Sequence, residues 1–338
     1  MATAPTRSPA DIASNILDFS DAEFAAAPAL DVHPREVRLL DAPFEGIAIS
    51  AQSRIRVDAQ TELPIAIAIR CDGERDWDVP LGDNCLLVVT ELQTGRVGVV
   101  PALVPPKVLT SRAGPQPSRA GPVRPPADEL AGHGAQIGWT EVRSRLDVPW
   151  RGGTWSFSVV HFDWISNRVD VLLEGGPAAP AAPVAPPVVE PLPAQQVPGL
   201  PSYVGGAQTP PAQAADLKVQ LDEQGPATRL LVEAAFALPA RPQLLVAGYT
   251  LFDGAQERDV VAIVPMTLLL VGANLPRPWR RDLRVPVYGP AVSAGETLQG
   301  WLSLDAFAGA ASPGPGSFAC YLVLDGTVYG PQLLRVTR

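Results

Sequence analysis

The stretch Leu63-Pro64-Ile65-Ala66-Ile67-Ala68-Ile69-Arg70 alternates isoleucine with alanine. A period of two is typical of a β-strand, because successive side chains point to opposite faces of a sheet. The same period occurs earlier in the chain, at Ile47 and Ile49, and a compact apolar run follows from Cys85 to Thr90. No helical spacing lies between these segments, so they favour a β-sandwich over a parallel α/β sheet.

Short strand-like segments continue through both halves of the chain. The stretch from Trp155 to Trp164 changes its apolar phase, which predicts a bulge or a strand that is covered on both faces. Asp325-Gly326 is a good hairpin turn. In the number and patterning of its strands the sequence resembles immunoglobulin-like sandwiches. The further strand-like segments are 141–148, 154–164, 168–174, 228–238, 243–252, 260–272, 281–288, 297–304, 317–324 and 327–336.

A proline-rich segment divides the chain. Between 177 and 211 eleven of thirty-five residues are proline and most others are small, so this segment buries too little side chain to fold and favours an extended conformation. We expect a semi-rigid linker that holds two modules apart. The predicted fold is all-β, with two tandem immunoglobulin-like β-sandwich domains and a short helical N-terminal arm. The predicted boundaries are 1–35 for the acidic arm, 36–176 for the first domain, which contains a proline-rich loop at 101–127, 177–215 for the linker and 216–338 for the second domain.

The N-terminal arm carries the clearest helix signals. Ser8 with Asp11 forms a capping-box pattern with Pro9 at the first helical position, and Ser20 with Glu23 repeats that pattern. The apolar residues after the first cap fall at helical spacings, which predicts a short amphipathic helix. We interpret its apolar face as a docking surface for a protein partner; its members are Ile12, Ile16, Leu17 and Phe19.

A short internal repeat connects the two halves. The order strand, Asp-Gly, Glu-Arg-Asp, strand occurs once from Ile65 and again from Leu244. If this repeat is a duplication, Trp155 to Trp164 corresponds to 298–307, the strand from Val169 corresponds to the closing strand, and the two domains share one fold. Hairpins also reuse Asp-Gly for local reasons, so both interpretations stay open.

Composition excludes several classes of protein. The net charge of −9 and the pI of about 4.9 argue against binding to a nucleic-acid backbone, which requires a basic face. No apolar stretch approaches the length of a membrane span. The cysteines, Cys71, Cys85 and Cys320, show no metal-binding or redox spacing, and reduced, buried thiols are favoured over a Cys71–Cys85 disulfide. We therefore predict a cytoplasmic protein without a cofactor.

One pair of side chains could carry catalysis. On a strand, His161 and Asp163 point the same way, so the carboxylate could orient the imidazole ring. No nucleophile motif accompanies the pair, and a paired polar face packed beside Trp155 and Trp164 is the favoured interpretation. The enzymatic alternative is a polysaccharide-active hydrolase or lyase centred on these two residues.

An acidic turn follows the isoleucine-alanine strand. Clustered carboxylates on hairpin loops bind Ca²⁺ in many sandwich domains, but these do not fit the EF-hand spacing and Arg75 lies among them. A solvated polar turn is the favoured interpretation, and no metal is predicted. The weak alternative ligands are Asp72, Asp76, Asp78 and Asp83.

Two basic clusters interrupt this acidic chain. The loop 101–127 carries its cluster among prolines and is interpreted as a tolerated surface loop or as a ligand for an acidic or aromatic partner surface. The second cluster consists of Arg277, Arg280, Arg281 and Arg284 around Trp279. Because arginine and tryptophan are enriched at protein interfaces, this second cluster is the favoured contact surface.

These observations favour a non-catalytic binding or assembly protein, a scaffold or an accessory factor. Its expected partner is one or more proteins, and self-association is left open. Seven tryptophans offer another alternative, a carbohydrate-binding module without turnover, with Trp77 and Trp150 as candidate exposed members. The fold class does not decide among these functions.

Overall fold

The computed structural model of the chain describes residues 7–26, 44–57, 62–71, 85–102, 134–143, 145–146, 148, 150–161, 164–175, 215–223, 228–253, 256–272, 275, 277–288, 291–307 and 313–337. It is mostly β and contains several antiparallel sheets. Among the helices in these ranges, none is long and apolar enough to cross a membrane.

Two short helices precede the first strand. α1 spans Pro9–Asn15 and α2 spans Asp21–Ala26. The Ser8 hydroxyl accepts a hydrogen bond from the Asp11 backbone N–H at 3.2 Å, and the Asp11 carboxylate accepts one from the Ser8 N–H at 3.0 Å. Ser20 and Glu23 make the equivalent pair of bonds at 3.4 and 2.7 Å. Both predicted capping boxes are present.

The strands of the N-terminal half build two sheets. One has the order β1-β3-β6 and is called the N-terminal outer sheet; the other has the order β2-β9-β7-β4-β5, with β8 paired to β7, and is called the N-terminal inner sheet. The strands are β1 (Gly46–Ser50), β2 (Arg54–Arg56), β3 (Pro64–Cys71), β4 (Leu86–Glu91), β5 (Arg96–Pro101), β6 (Gly134–Glu141), β7 (Gly153–His161), β8 (Trp164–Ile165) and β9 (Val169–Glu174).

A single apolar core lies between these two sheets. Full burial of each large side chain in it contributes about 1.5–3 kcal/mol. Asn167 ties the sheets together at one edge, because its side-chain amide bonds both the N–H and the C=O of Ile49 at 2.9 Å. The core includes Ile47, Ile49, Ile65, Ile67 and Ile69 from the outer sheet and Leu87, Val89, Trp155, Phe157 and Val159 from the inner sheet.

The C-terminal half repeats this layout. Its outer sheet has the order β10-β11-β15, and its inner sheet has the order β12-β13-β16-β17 with β14 paired to β13. The strands are β10 (Ala215–Asp222), β11 (Arg229–Pro239), β12 (Leu245–Asp253), β13 (Gln256–Val271), β14 (Trp279–Tyr288), β15 (Thr297–Asp305), β16 (Gly316–Leu324) and β17 (Thr327–Val336). The core between the sheets includes Leu230, Val232, Phe236, Leu268, Leu270, Cys320 and Leu322.

The two inner sheets pack against each other. Val88 and Val160 of the N-terminal inner sheet belong to one buried cluster with Leu269, Tyr321 and Val323 of the C-terminal inner sheet. Sheets of the two halves therefore form one stack with a third apolar layer at its centre. The expectation of two modules held apart by the linker is wrong for the parts of the halves that the structure describes.

β7 contributes to two of these layers. Trp155, Phe157 and Val159 face the N-terminal core, whereas Val160 faces the C-terminal half. The prediction of a strand covered on both faces, drawn from its change of apolar phase, is confirmed for these four residues.

The arm forms a further layer at the N-terminal end of the stack. Ile12, Leu17 and Phe24 pack on Ala66 and Ala68, which are 0% exposed on the outward face of the outer sheet. The alanines of the isoleucine-alanine stretch thus lie beneath helices, and their small side chains let the helices approach the sheet closely. The Asp21 carboxylate also accepts a hydrogen bond from the Gln52 side chain at 2.8 Å.

The strand order identifies the equivalent strands of the two halves. β11 and β15 occupy in their sheet the positions that β3 and β6 occupy in theirs, and β16 occupies the position of β7. The sequence-based repeat aligned β12 with β3 and β15 with β7, which is wrong in both cases. Its alignment of β9 with the closing strand β17 agrees with the sheet order.

Candidate functional site

The favoured basic cluster lies on an edge strand. Among the described strands, β14 forms backbone pairs only with β13, although its residues also lie close to β15 of the C-terminal outer sheet. Arg277, Arg280 and Arg284 are exposed, and Arg281 is half-buried. We call the four arginines together with Trp279 the arginine edge.

Trp279 anchors the start of this edge. It is half-buried and packs on the C-terminal core, and its ring meets that of Phe307 edge-on, with centroids 5.4 Å apart and an interplanar angle of 85°. Arg281 is fixed nearby, since its guanidinium donates to the backbone oxygen of Asp305 at 3.3 Å and to that of Ala306. These two side chains have a packing role, which holds the strand in place.

Arg280 and Arg284 lie on the face of β14 that points away from the C-terminal core, and Arg277 lies just before the strand. The charges of these arginines are unevenly paired. Arg280 forms a two-pronged pair with Asp282, with N–O distances of 2.9 and 2.8 Å, and the Thr267 hydroxyl donates to the same carboxylate at 2.7 Å. Arg277 and Arg284 have no ion pair with any residue that the structure describes. The arginine edge therefore carries positive charge that the neighbouring described residues do not neutralise.

The four apolar residues predicted to dock a partner lie inside the molecule. Ile12, Ile16, Leu17 and Phe19 are at most 7% exposed and pack against the N-terminal outer sheet. The rings of Phe19 and Trp139 lie 4.6 Å apart, and that of Phe24 meets Trp139 edge-on. Their apolar face is thus occupied by the chain itself, and a docking role for it stays a prediction.

His161 ends β7 beside Trp164. The two rings lie 5.9 Å apart at 38°, and His161 is half-buried. Asp163 lies outside the described residues, so the predicted orienting contact is not tested. The enzymatic alternative stays a prediction.

The predicted weak metal ligands are not tested either. Asp72, Asp76, Asp78 and Asp83 lie outside the described residues, as does most of the basic loop 101–127. Within the described ranges, no group of three or more histidine, cysteine, aspartate or glutamate side chains lies close enough together to hold a metal ion.

Cys85 lies in the N-terminal core and Cys320 in the C-terminal core. Cys85 and Cys320 are free thiols, and burial raises the pKa of each to about 12. A free thiol at Cys85 agrees with the favoured interpretation over a Cys71–Cys85 disulfide. Because the thiolate is the reactive form, both groups are unreactive while the cores stay closed.

Sequence reasoning missed a polar contact between the halves. The hairpin turn Asp325-Gly326, which joins β16 and β17, was recognised as a turn, but nothing in its sequence indicated that it meets the other half. Ser156 donates to the Gly326 carbonyl at 2.9 Å, and Arg168 donates to the Asp325 carbonyl at 2.9 Å. Gly326 has a φ of 77°, and a Cβ there would lie 2.6 Å from Leu92 and Ser156, so glycine is needed for both the turn and the contact.

Asp325 adds an ion pair to this contact. Its carboxylate meets Arg241 at 3.0 Å, and Arg241 also donates to the Leu92 carbonyl of the other half at 3.2 Å. Burial raises the pKa of Asp325, although the positive charges of Arg241 and Arg168 oppose that rise. The turn therefore helps to hold the two inner sheets in place relative to each other.

No family model matches this sequence, and no curated protein matches it.

Proposed function

We propose that the protein is a non-catalytic binding or assembly protein with two tandem immunoglobulin-like β-sandwich domains, and that it binds an acidic protein partner at the arginine edge. The sheet orders support the fold part of this proposal. β1-β3-β6 opposite β9-β7-β4-β5 corresponds to the A-B-E and G-F-C-C′ sheets of that fold. The orders β10-β11-β15 and β17-β16-β13-β14 correspond to the same arrangement.

The arginine edge carries the binding part of the proposal. Exposed arginines cluster there on an edge strand, in a chain whose net charge is −9. A basic patch attracts an acidic partner surface, which orients the encounter and speeds association. The half-buried Trp279 and Arg281 keep the strand rigid, so little ordering entropy opposes binding.

An edge strand also suits an extended partner. Its outward backbone groups can pair with an added strand, a recurring mode of peptide recognition. Charged side chains on an edge strand also prevent unwanted pairing with other strands. A binding experiment must therefore distinguish this protective role from recognition of a partner.

Affinity capture with charge-reversed bait tests the proposal. Tagged full-length protein is used as bait in an extract of the native host, in parallel with the double variant Arg277→Glu/Arg284→Glu and the control Arg335→Glu. Arg335 is an exposed arginine on β17, at the opposite edge of the same sheet. The expected result is a set of acidic proteins captured by the wild type and by the control, and lost with the double variant.

Capture that is equal in all three baits would overturn the binding role of the arginine edge. Urea unfolding of each bait checks that the substitutions leave the fold intact, since exposed arginine changes of this kind alter stability by about 0.5 kcal/mol or less. The cytoplasmic location and self-association of the protein stay predictions.

A further inference from the structure

The strands of the two inner sheets lie over one another in a matching order. The turn between β4 and β5 meets β13, because a Cβ added at Gly95 would lie 2.0 Å from Cγ of Pro265. On the other side of the contact, Arg168, just before β9, donates to the Thr327 hydroxyl at the start of β17 at 2.8 Å. The order β5-β4-β7-β9 therefore runs in the same direction as β13-β16-β17, and β5 lies over β13.

The C-terminal inner sheet extends one strand further than the N-terminal inner sheet at this side. Val97 of β5 belongs to the buried cluster between the inner sheets, together with Leu269 and Val271 of β13. The N-terminal inner sheet ends at β5, whereas the C-terminal inner sheet continues from β13 to β14. Among the described strands of the N-terminal half, none therefore continues the inner sheet over β14.

This uncovered face of β14 carries charge. Arg280, Asp282 and Arg284 pair with residues of β13 that point to the layer between the inner sheets, so all three point to that side as well. All three are exposed. Asp282 binds Arg280 at 2.8 Å, whereas Arg284, opposite Pro265, forms no ion pair with a described residue. The face therefore has a net positive charge, and Arg284 is the arginine that it leaves unneutralised.

The edge of β5 offers free backbone groups beside this face. The Ala102 N–H bonds the Cys85 carbonyl, and alternate residues of an antiparallel strand bond the same partner strand. The N–H and C=O groups of Val97 and Val99 consequently point away from β4. No described strand pairs with this second side of β5, whereas β14 lies close to β15. An added strand is thus better accommodated at β5 than at β14.

A strand added to β5 would lie over the charged face of β14. Neighbouring strands are about 4.7–4.9 Å apart within a sheet, and packed sheets are about 10 Å apart, so the position next to β5 lies one sheet layer from β14. Every second side chain of the added strand would point into that layer. A carboxylate there can form a charge-assisted hydrogen bond with Arg284, whereas a basic side chain would be repelled.

The segment of the chain that follows β5 has the wrong charge for this position. Residues 103–127 contain no aspartate or glutamate, and their charged residues are Lys107, Arg112, Arg119 and Arg124. Like charges repel, so an acidic segment from another protein suits Arg284 better than this segment does.

We infer that an extended segment of the protein partner adds to the free edge of β5 as a further strand of the N-terminal inner sheet, lies over β14, and directs an acidic side chain to Arg284. This inference rests on the proposed function and adds the mode of binding to it. The N-terminal half supplies the main-chain hydrogen bonds, and the C-terminal half supplies the recognition of charge.

Binding of a defined peptide tests both parts. The probe is a fluorescein-labelled peptide of alternating glutamate and threonine, and fluorescence anisotropy measures its affinity for the full-length protein at low and at physiological salt. Arg284→Glu is expected to weaken binding about tenfold, by loss of attraction and gain of repulsion. The control Arg335→Glu is expected to change the affinity less than about twofold. A peptide with lysine in place of glutamate is expected not to bind, and equal binding of it would overturn the acidic occupant.

A proline at the edge of β5 tests the added strand. Val99→Pro removes an N–H that points away from β4, so it leaves the β4–β5 ladder intact and is expected to weaken binding about fivefold to tenfold. Val99→Ala is the matched control, since it shortens the same half-buried side chain and keeps the N–H, and we expect a change of less than about twofold. The thermal midpoints of the two variants show whether β5 stays folded.

Amide hydrogen exchange provides a readout that attraction of charge alone would not change. Saturating peptide is expected to slow exchange at Val97 and Val99 of the wild type at least about tenfold, measured by mass spectrometry on the fragment that covers β5. Unchanged exchange in the bound protein would overturn the added strand, even if Val99→Pro fails to fold.

The variants separate the inference from the proposed function. Weaker binding in Arg284→Glu but not in Val99→Pro would overturn the added strand and leave the arginine edge as the site. Weaker binding in Val99→Pro but not in Arg284→Glu would overturn recognition of an acidic side chain by Arg284. Failure of the wild type to bind the peptide would overturn the inference, while capture of acidic proteins by the wild-type bait would still support the proposed function.

Discussion

The two outer sheets have equivalent strand orders, but their outward faces differ in how far they are exposed to solvent. In the N-terminal outer sheet, Ala48, Ala66 and Ala68 are 0% exposed beneath the arm. In the C-terminal outer sheet, the equivalent face of β11 is half-exposed, and Lys218 on β10 lies directly opposite Glu233. The same layer is therefore internal in one half and a surface in the other. The middle of β3 places only Ala66 and Ala68 on this face, whereas β11 places the charged Glu233 there.

The largest expected effect comes from placing an arginine on each of these faces. Ala68→Arg buries an unpaired charge beneath the arm or displaces the helices, and we expect it to lower the free energy of unfolding by about 3 kcal/mol or more. Ala235→Arg changes the equivalent face of β11, and we expect a change of about 0.5 kcal/mol or less. Urea unfolding followed by tryptophan fluorescence measures both.

Equal losses in the two variants would show that the outer faces do not differ in burial, and the comparison would fail.

The two buried thiols sharpen the comparison, because each reports on one half. With a pKa of about 12, Cys85 and Cys320 react with a thiol reagent at pH 8 only when the surrounding core opens. We expect Ala68→Arg to speed labelling of Cys85 at least about tenfold, the factor produced by about 1.4 kcal/mol of local destabilisation. Labelling of Cys320 is expected to change less than about twofold. Peptide mass spectrometry separates the two sites.

If both thiols accelerate equally in Ala68→Arg, the halves open together and the inner sheets couple them fully. Ala235→Arg serves as the reference, with neither thiol expected to accelerate. Guanidinium-unfolded protein defines the rate of the freely exposed thiols.

The smallest expected effect concerns the polar face itself. Lys218→Glu places a like charge directly opposite Glu233, and we expect it to lower the free energy of unfolding by about 0.2–1 kcal/mol. Gln220→Glu is the control, since it places a glutamate on the same face of β10 opposite the uncharged Leu231; it changes the charge by one unit, and Lys218→Glu changes it by two. A thermal melt compares the two. A larger loss in the control would mean that the cross-strand pair does not stabilise this face.

Much of the strand pattern could be predicted, most closely in the C-terminal half. The segments 297–304 and 327–336 correspond to β15 and β17 within one residue, because alternation is clear and Asp325-Gly326 marks the hairpin. The prediction failed at 141–148, because β6 instead spans Gly134–Glu141. That strand has three residues without a large apolar side chain at its start and shows only one alternating pair of large apolar side chains, Ile137 and Trp139, and it is specified by pairing with β3.

Packing between the layers could not be predicted from single residues. Alanine fits equally well beneath a helix and at a partly exposed position, so Ala66 and Ala68 did not reveal the arm's position. The contact between the halves had a weak signal in the near-continuous apolar run of β4, which is typical of a strand buried on both faces. The arginine edge was identified as a surface from its charge, but its place on a strand that pairs with β13 depends on long-range pairing that no local pattern encodes.

The covering of the first sheet by the arm has a consequence for synthesis on the ribosome. Phe19 and Phe24 reach their contact with Trp139 only after roughly 100 further residues have been made, about 5–20 s at ordinary elongation rates. During that interval the apolar side of α1 and α2 is exposed in the nascent chain. A chaperone that binds short apolar segments would meet it before β6 emerges, and release would be timed by completion of the sheet.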